Sequence, residues 1–329
     1  MFQAMFAIIT PALLLGAVAE RMRFDVWCAF IALWFLAVYC PIAHMVWASE
    51  GWIYKASAID FAGGLVVHMS SGFSAIVAAL MLGRRQGLGR ESMAPHSLPL
   101  CLIGAGLLWT GWFGFNAGSA LSASPLAALA FLNTSTAASM AVVTWAAIEW
   151  VHRGKPTALG GATAAVAGLV AITPACGNVA PAGALAIGVG VSIISYAACT
   201  FLKPALGYDD SLDVFGVHAL GGAWGALASG LFAVTLGSGI ESNAQQTMVQ
   251  LKGIVFVALF APIATAVILG LLGVVFGSLR VAEDAEQEGL DLSEHSESAY
   301  GLSSGSLAGL EPAAEARALS VVGHAKRLA

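Results

Sequence analysis

Nine apolar stretches follow one another along the chain, at residues 2–19, 26–47, 60–82, 97–119, 126–151, 158–176, 182–202, 214–236 and 250–278. A helix needs about 20 such residues to cross the hydrocarbon of a bilayer. Inside that hydrocarbon every backbone polar group must be satisfied within the protein, so only helices and closed barrels qualify. Runs of this length are far too long for barrel strands. The expected fold is all-α, a polytopic helical bundle with nine transmembrane helices. Composition agrees: 58% of the residues are hydrophobic and 10% charged, outside the range of ordinary soluble domains. The 38 glycines are spread along the apolar stretches, where small residues let membrane helices approach closely. The first residues read as a membrane span rather than a signal peptide.

The formal charge of −5 belongs to the tail. Nine of the nineteen acids lie beyond Arg280, seven of them between Glu283 and Glu297. The expected division is therefore a membrane part, 1–280, and a tail, 281–329, disordered beyond about 302, where hydrophobic content is low and periodicity absent. Nothing suggests nucleic acid as a partner. The cysteines at 28, 40, 101, 176 and 199 show no metal-type spacing and read as small buried residues. No nucleotide-binding loop, Ser-His-Asp set or HExxH motif is present, so neither an enzyme nor a cofactor is expected.

Positive residues set the orientation. Arg21, Arg23, Arg84, Arg85, Arg90, Arg153, Lys155, Lys203 and Arg280 follow odd-numbered stretches; only Lys55 and Lys252 follow even-numbered ones. Nine against two puts the odd ends, and the tail, in the cytoplasm.

Two segments then stand out: Asp60-Phe-Ala-Gly-Gly-Leu-Val-Val-His68 and Asp210-Ser-Leu-Asp-Val-Phe-Gly-Val-His218. In each, an acid opens an apolar stretch and a histidine follows eight residues later, about 12 Å deeper at helical rise. Asp60 opens its stretch from outside and Asp210 from inside, the mark of an inverted-topology repeat. The copies are five stretches apart, so the repeat unit is five helices, followed by one last long helix. The first repeat is incomplete, and two helices are expected before residue 1, in an N-terminally truncated chain.

A lone histidine in a bundle is more often a packing residue. Two at matching depth from opposite sides point to one pore site, where imidazoles supply polar contacts without fixed charge. The acids have a competing role as helix caps; capping is favoured for Asp210, while Asp60 combines a cap with negative potential at the outer mouth. Trp47 and Trp52 near the outer face fit either an aromatic belt or a cation–π site worth roughly 0.5–2 kcal/mol per ring. Phe6 and Phe115 are single rings in apolar stretches. Gly111-Trp-Phe-Gly-Phe-Asn-Ala-Gly-Ser119 groups aromatic and polar side chains as a vestibule wall would. His44, His96 and His152 read as interfacial. Glu20 and Glu149 are expected to pair with nearby arginines.

Phe2-Gln-Ala-Met-Phe-Ala-Ile-Ile-Thr10, Ala19-Glu-Arg-Met-Arg-Phe24, Pro41-Ile-Ala-His-Met-Val-Trp47, Asp60-Phe-Ala-Gly-Gly64, Gly111-Trp-Phe-Gly-Phe-Asn-Ala-Gly118, Thr173-Pro-Ala-Cys-Gly177 and Asp213-Val-Phe-Gly-Val-His218 together resemble the ammonium transporters of the Amt/Mep/Rh family, the bacterial Amt branch above all. The resemblance runs from residue 2 to about 300. It implies eleven helices in the whole family fold, of which the nine here are the third to eleventh, and a homotrimer with one pore per subunit. By the same resemblance Phe6, Trp47 and Ser119 recruit ammonium with support from Asp60, Phe6 and Phe115 form a stacked gate, and His68 and His218 are the paired pore histidines. Trp112, Thr163 and Val214 line the pore, Thr163 where many members have serine. The resemblance implies no cofactor.

The function expected is transport of ammonium or ammonia across a bacterial inner membrane. Methylammonium would serve as analogue, and a PII-type signal protein would dock at the cytoplasmic face. The alternatives are an ammonium sensor and a neutral-gas channel of the Rh type. Trp47 argues against the latter, since a neutral gas has little use for a cation–π residue.

Overall fold

The computed structural model describes residues 1–298. The expectation of disorder beyond about 302 lies outside these described residues. Among them every regular element is helical. Residues Met1–Val281 form one compact unit, and a second begins at Ala282.

The first unit starts with α1 (Phe2–Val18). Helix α2 runs from Phe24–Trp34 through a π-helical turn, Phe35–Tyr39, into Cys40–Trp47, and α3 is one turn, Trp52–Lys55. Helix α4 opens as a π-helical turn, Gly64–Met69, and continues as Ser70–Leu82. Helices α5 (Leu98–Gly118), α6 (Pro125–Arg153) and α7 (Ala158–Ile172) follow. Helix α8 joins Pro181–Ala197, a π-helical turn Ala198–Leu202, and Lys203–Leu206. Helix α9 again opens on a π-helical turn, Phe215–Leu220, before Gly221–Leu231, and α10 spans Asn243–Phe276. The second unit holds α11 (Glu283–Glu288) and α12 (Leu290–Ser293), separated by Gly289 at φ 97°. Six helices among the described residues are long and apolar enough to cross a membrane, and α1 and α7 are shorter apolar helices.

Local chemistry explains several boundaries. Ser97, Ser124, Thr157 and Ser242 each accept a hydrogen bond from a first-turn amide of the helix they precede, which satisfies one of its orphan donors. Helix α7 runs to Ile172, and Thr173 keeps helical geometry as its C-cap before Pro174, whose missing N–H cannot continue the ladder. Pro41 and Pro204 lie two residues past the π-helical turns of α2 and α8; each lacks the N–H that an earlier carbonyl would otherwise receive, which loosens the ladder there. Helix α10 starts seven residues before the apolar run at 250, because Gln246 and Gln250 are buried and put their amides to use. Gln250 Nε2 donates to the carbonyls of Ile59 and Ala226, and its Oε1 accepts from the Ile59 amide.

Two large apolar cores result, beside a small cluster of Trp145, Ala164 and Tyr196. One joins α1, α2, α4 and α10 through Leu14, Phe30, Trp34, Met69 and Leu269. It contains a polar triangle in which the Trp34 indole N–H donates to Ser74 and Thr265, and the Thr265 hydroxyl donates to Ser74 at 2.8 Å. The other joins α5 to α9 through Trp112, Ala137, Leu169, Ile187 and Val217. Phe115 packs against both. Helix α5 buries only Trp112 and Asn116, one turn apart on one face. The seam between the cores is where α4 meets α9.

Candidate functional site

His68 and His218 meet at that seam. Their Nδ1 atoms are 3.2 Å apart and their ring centroids 5.3 Å. Both rings are buried, at 1% and 8% exposure. A neutral pair bonded through Nδ1 requires one ring to carry hydrogen there and the other a lone pair, so the two Nε2 atoms are opposite in kind. The Nε2 of His68 is buried without a protein partner.

The backbone brings these rings together in the same way twice. Each histidine lies in the π-helical opening turn of its helix, a distortion common at functional positions. Each is followed four residues later by a glycine at the helix crossing. A Cβ on Gly72 would stand 2.2 Å from the Ala219 amide nitrogen, and one on Gly222 would stand 3.1 Å from the His68 Cβ. Each helix is also capped by the acid that precedes it. Asp60 Oδ2 accepts from the amides of Leu65 and Val66, and Asp210 Oδ2 accepts from the amide of Phe215.

The capping role expected of Asp60 is present, on a buried carboxylate. Asp60 is 7% exposed, Asp210 is 0% exposed, and each engages helix amides through Oδ2 while its Oδ1 is buried without a partner among the described residues. The two acids are equivalent caps. Asp60 reaches the aromatic site only through its main chain, whose carbonyl accepts the Trp47 indole N–H at 2.9 Å.

A file of rings leads from the histidines to the Trp47 end of the bundle. Trp112 lies nearly parallel to His68, with centroids 5.4 Å apart and planes 18° apart. Phe115 is 6.1 Å from His68 and stacks on Phe6 at 4.3 Å and 28°. Phe6 meets Trp47 edge to face at 5.8 Å. Beyond Phe6 a pocket of about 210 Å³ is lined by Phe2, Gln3, Phe6, Trp47, Phe61 and Ser119 among others. Its walls are aromatic rings and Leu121, with the Gln3 amide and the Ser119 hydroxyl as polar groups. The Ser119 hydroxyl donates to the Phe115 carbonyl at 2.9 Å, so its oxygen keeps lone pairs for a donor in the pocket. Such a lining attracts a small hydrogen-bond-donating cation.

This geometry can be set beside known proteins. The model of the Ammonium Transporter Family matches residues 1–300. The chain is 47% identical over 306 residues to an ammonium transporter of Aquifex aeolicus, covering 92% of this chain and 71% of that one. It belongs to the ammonium transporter family. An ammonium transporter of Bacillus subtilis is 45% identical over 306 residues, 91% of this chain and 75% of the relative. Among solved structures, one titled Sensor Amt Protein superposes with a TM-score of 0.83 at 33% identity, covering 89% of this chain and 75% of that one. Mep2 of Saccharomyces cerevisiae gives 0.78 at 36% identity, with 86% and 66% covered. The function is transmembrane transport of ammonium, by a multi-pass membrane protein that is not an enzyme.

Within the transporter, Val214 is buried at the start of α9, its side chain against the α1 backbone at Gly16. Thr163 is not brought to the ring file. It lies ten residues before Thr173 on α7, about 15 Å away at helical rise, and its hydroxyl donates to Leu159 of its own helix. Asn116 turns away from the vestibule and donates to Thr134 on α6 at 3.0 Å. Glu20 pairs with Arg85 at 2.8 Å as expected. Glu149 pairs with no arginine among the described residues; it is 3% exposed and accepts from the amide and hydroxyl of Thr157, bracing the start of α7. His152 bonds the Tyr196 hydroxyl at 2.7 Å.

Sequence reasoning missed five contributors. Thr173 accepts the Trp112 indole N–H at 2.9 Å and thereby sets the ring that covers His68. Gln3 lines the pocket. Gly72 and Gly222 let the histidine helices touch, and a glycine four residues after each histidine was a legible signal. Arg85, a surface charge by its sequence neighbours, makes a bidentate pair with Asp209. Burial opposes the Asp209 charge, but the Arg85 hydrogen bonds and charge prevail and hold its carboxyl below the usual aspartate range.

Proposed function

We propose that the transporter collects ammonium in the pocket formed by Phe6, Trp47 and Ser119, removes its proton there, and conducts NH3 past the Phe6/Phe115 gate and along His68 and His218. Asp60 acts at one remove, capping α4 and holding the Trp47 indole. Trp112 and Val214 line the pore on either side of the histidines. The observation that carries the reading is the ring file. Phe6 on Phe115 at 4.3 Å leaves no room for a hydrated cation between the pocket and the histidines. Taking a bare cation into such a site costs several kcal/mol. Removing the proton of a group with a pKa about two units above 7 costs about 3 kcal/mol, so deprotonation is the easier route.

The proton has its own path. It binds the Nε2 lone pair of the histidine that donates through Nδ1. That ring's Nδ1 hydrogen passes to the other Nδ1, and the second ring releases its Nε2 hydrogen. One proton crosses and the tautomers exchange.

Replacing both histidines with leucine tests this. In proteoliposomes the double variant is expected to lose ammonium-driven current and methylammonium uptake. Unchanged current and uptake would remove the histidines from the mechanism.

The same reading takes residues 1–280 as nine membrane-crossing helices, with an inverted five-helix repeat and one last helix, in a homotrimer in the bacterial inner membrane. The repeated π-helical openings at His68 and His218, and the repeated turn-then-proline in α2 and α8, support the repeat. Residues 281–329 would then be a cytoplasmic tail at which a PII-type signal protein docks.

A further inference from the structure

On the lipid-facing side of α10, away from the pore, a groove of about 450 Å³ runs along Met248, Leu251, Lys252, Val255 and Phe256, with Trp52 of α3 as its other wall. It is apolar but for Lys252. The opposite face of α10, with Gln246, Val249, Gln250 and Gly253, is buried in the protein.

The depth of the groove follows from helix length. Helix α10 has 34 residues, about 51 Å at helical rise against a hydrocarbon core of about 30 Å. If it overhangs equally, about 10 Å projects at each end. Lys252 lies nine residues from Asn243, about 13 Å along the axis, so its backbone is just inside the hydrocarbon and its stem reaches the phosphate level. The aromatic wall agrees. Trp52 meets Phe256 edge to face at 5.3 Å, one turn deeper than Lys252, and interfacial tryptophan marks the headgroup boundary.

Charge singles out the occupant. Of the two lysines on the Trp47 side, Lys55 is neutralised by Glu50 at 2.7 Å. No carboxylate pairs with Lys252 among the described residues. An ammonium at headgroup depth above an apolar trough complements a phosphodiester with an acyl chain beneath it.

We propose that the Lys252 groove is a binding site for one anionic phospholipid in the leaflet on the Trp47 side, the headgroup phosphate on Lys252 and an acyl chain lying along the trough past Trp52, Val255 and Phe256. A zwitterionic lipid fits the trough but brings a competing cation, so the site discriminates by charge.

The test reads proximity to Trp52, independently of transport. The full chain is reconstituted in phosphatidylcholine bilayers containing a minor fraction of brominated phosphatidylglycerol, or the same fraction of brominated phosphatidylcholine. Quenching of the Trp52 contribution is taken as the difference from Trp52→Phe. Brominated phosphatidylglycerol is expected to occupy the groove about fivefold more than its mole fraction predicts, as one interfacial lysine can supply. Lys252→Gln should abolish that preference and Lys252→Arg should keep it. Both substitutions are at a lipid-exposed position, so folding is preserved. Equal quenching by the two lipids, or a preference that survives Lys252→Gln, would overturn the assignment.

Discussion

Gly72→Ala is the smallest change that should separate the two histidines. The added methyl would stand 2.2 Å from the Ala219 nitrogen and 2.7 Å from its Cα. Those are backbone atoms, so no rotamer change relieves the clash. An ordinary carbon contact begins near 3.4 Å, so α4 and α9 must part locally by about 1.2 Å. The Nδ1–Nδ1 distance is 3.2 Å, and the same displacement carries it beyond hydrogen-bond range. Overpacking of this kind costs about 1–3 kcal/mol, which a bundle of this size tolerates, so the variant should fold yet fail. Two controls grade the effect. Gly222→Ala meets its nearest neighbours at 3.1 Å, where a shift of a few tenths of an ångström suffices, and should be mild. Gly104→Ala meets nothing within 4 Å and should be silent. The assay is ammonium-evoked current and methylammonium uptake in proteoliposomes, normalised to protein that elutes as a single species. The expected order of loss is Gly72→Ala, at least about tenfold, then Gly222→Ala, then Gly104→Ala. Wild-type rates for Gly72→Ala, or a reversed order of the first two, would refute the contact argument.

Two further outcomes can be measured. Thr173→Val leaves the buried Trp112 indole N–H without its acceptor, at a cost of about 1–3 kcal/mol. It should lower uptake in the parent but add nothing once Trp112→Phe has removed the donor, and additive losses in that double-mutant cycle would show that Thr173 acts elsewhere. The Arg85–Asp209 pair should make stability pH-dependent. Because the folded carboxyl is held below its unfolded value, the stabilisation is complete above about pH 4 and is lost as pH falls through the lower folded value. Asp209→Asn should unfold at lower temperature at pH 7, by about 3 kcal/mol for a broken buried pair, with the gap closing in acid. A gap that persists unchanged at low pH would assign the loss to packing.

Much of the site could be read in the chain because its signals are local or repeated. Apolar runs longer than a barrel strand leave only a helical bundle. An acid eight residues before a histidine, found twice, already paired His68 with His218, and the two rings meet at 3.2 Å. The family motifs named Phe6, Trp47, Trp112, Phe115 and Ser119, and the structure puts those five side chains in and beside one ring file. What could not be read in the chain depended on where side chains turn. Asp60 had the sequence of both a cap and a mouth residue, and the fold shows the cap, with Oδ2 on the amides of Leu65 and Val66. Thr163 and Thr173 are both threonines on or at the end of α7; only the Trp112 indole distinguishes them. Glu149 had basic neighbours in sequence but Thr157 in space. Membrane burial follows from composition and length, which every residue of a stretch shares. A hydrogen-bond partner or a helix crossing follows from a few atoms brought within 3 Å by distant parts of the chain, and that proximity exists only once α4, α5, α7 and α9 have packed.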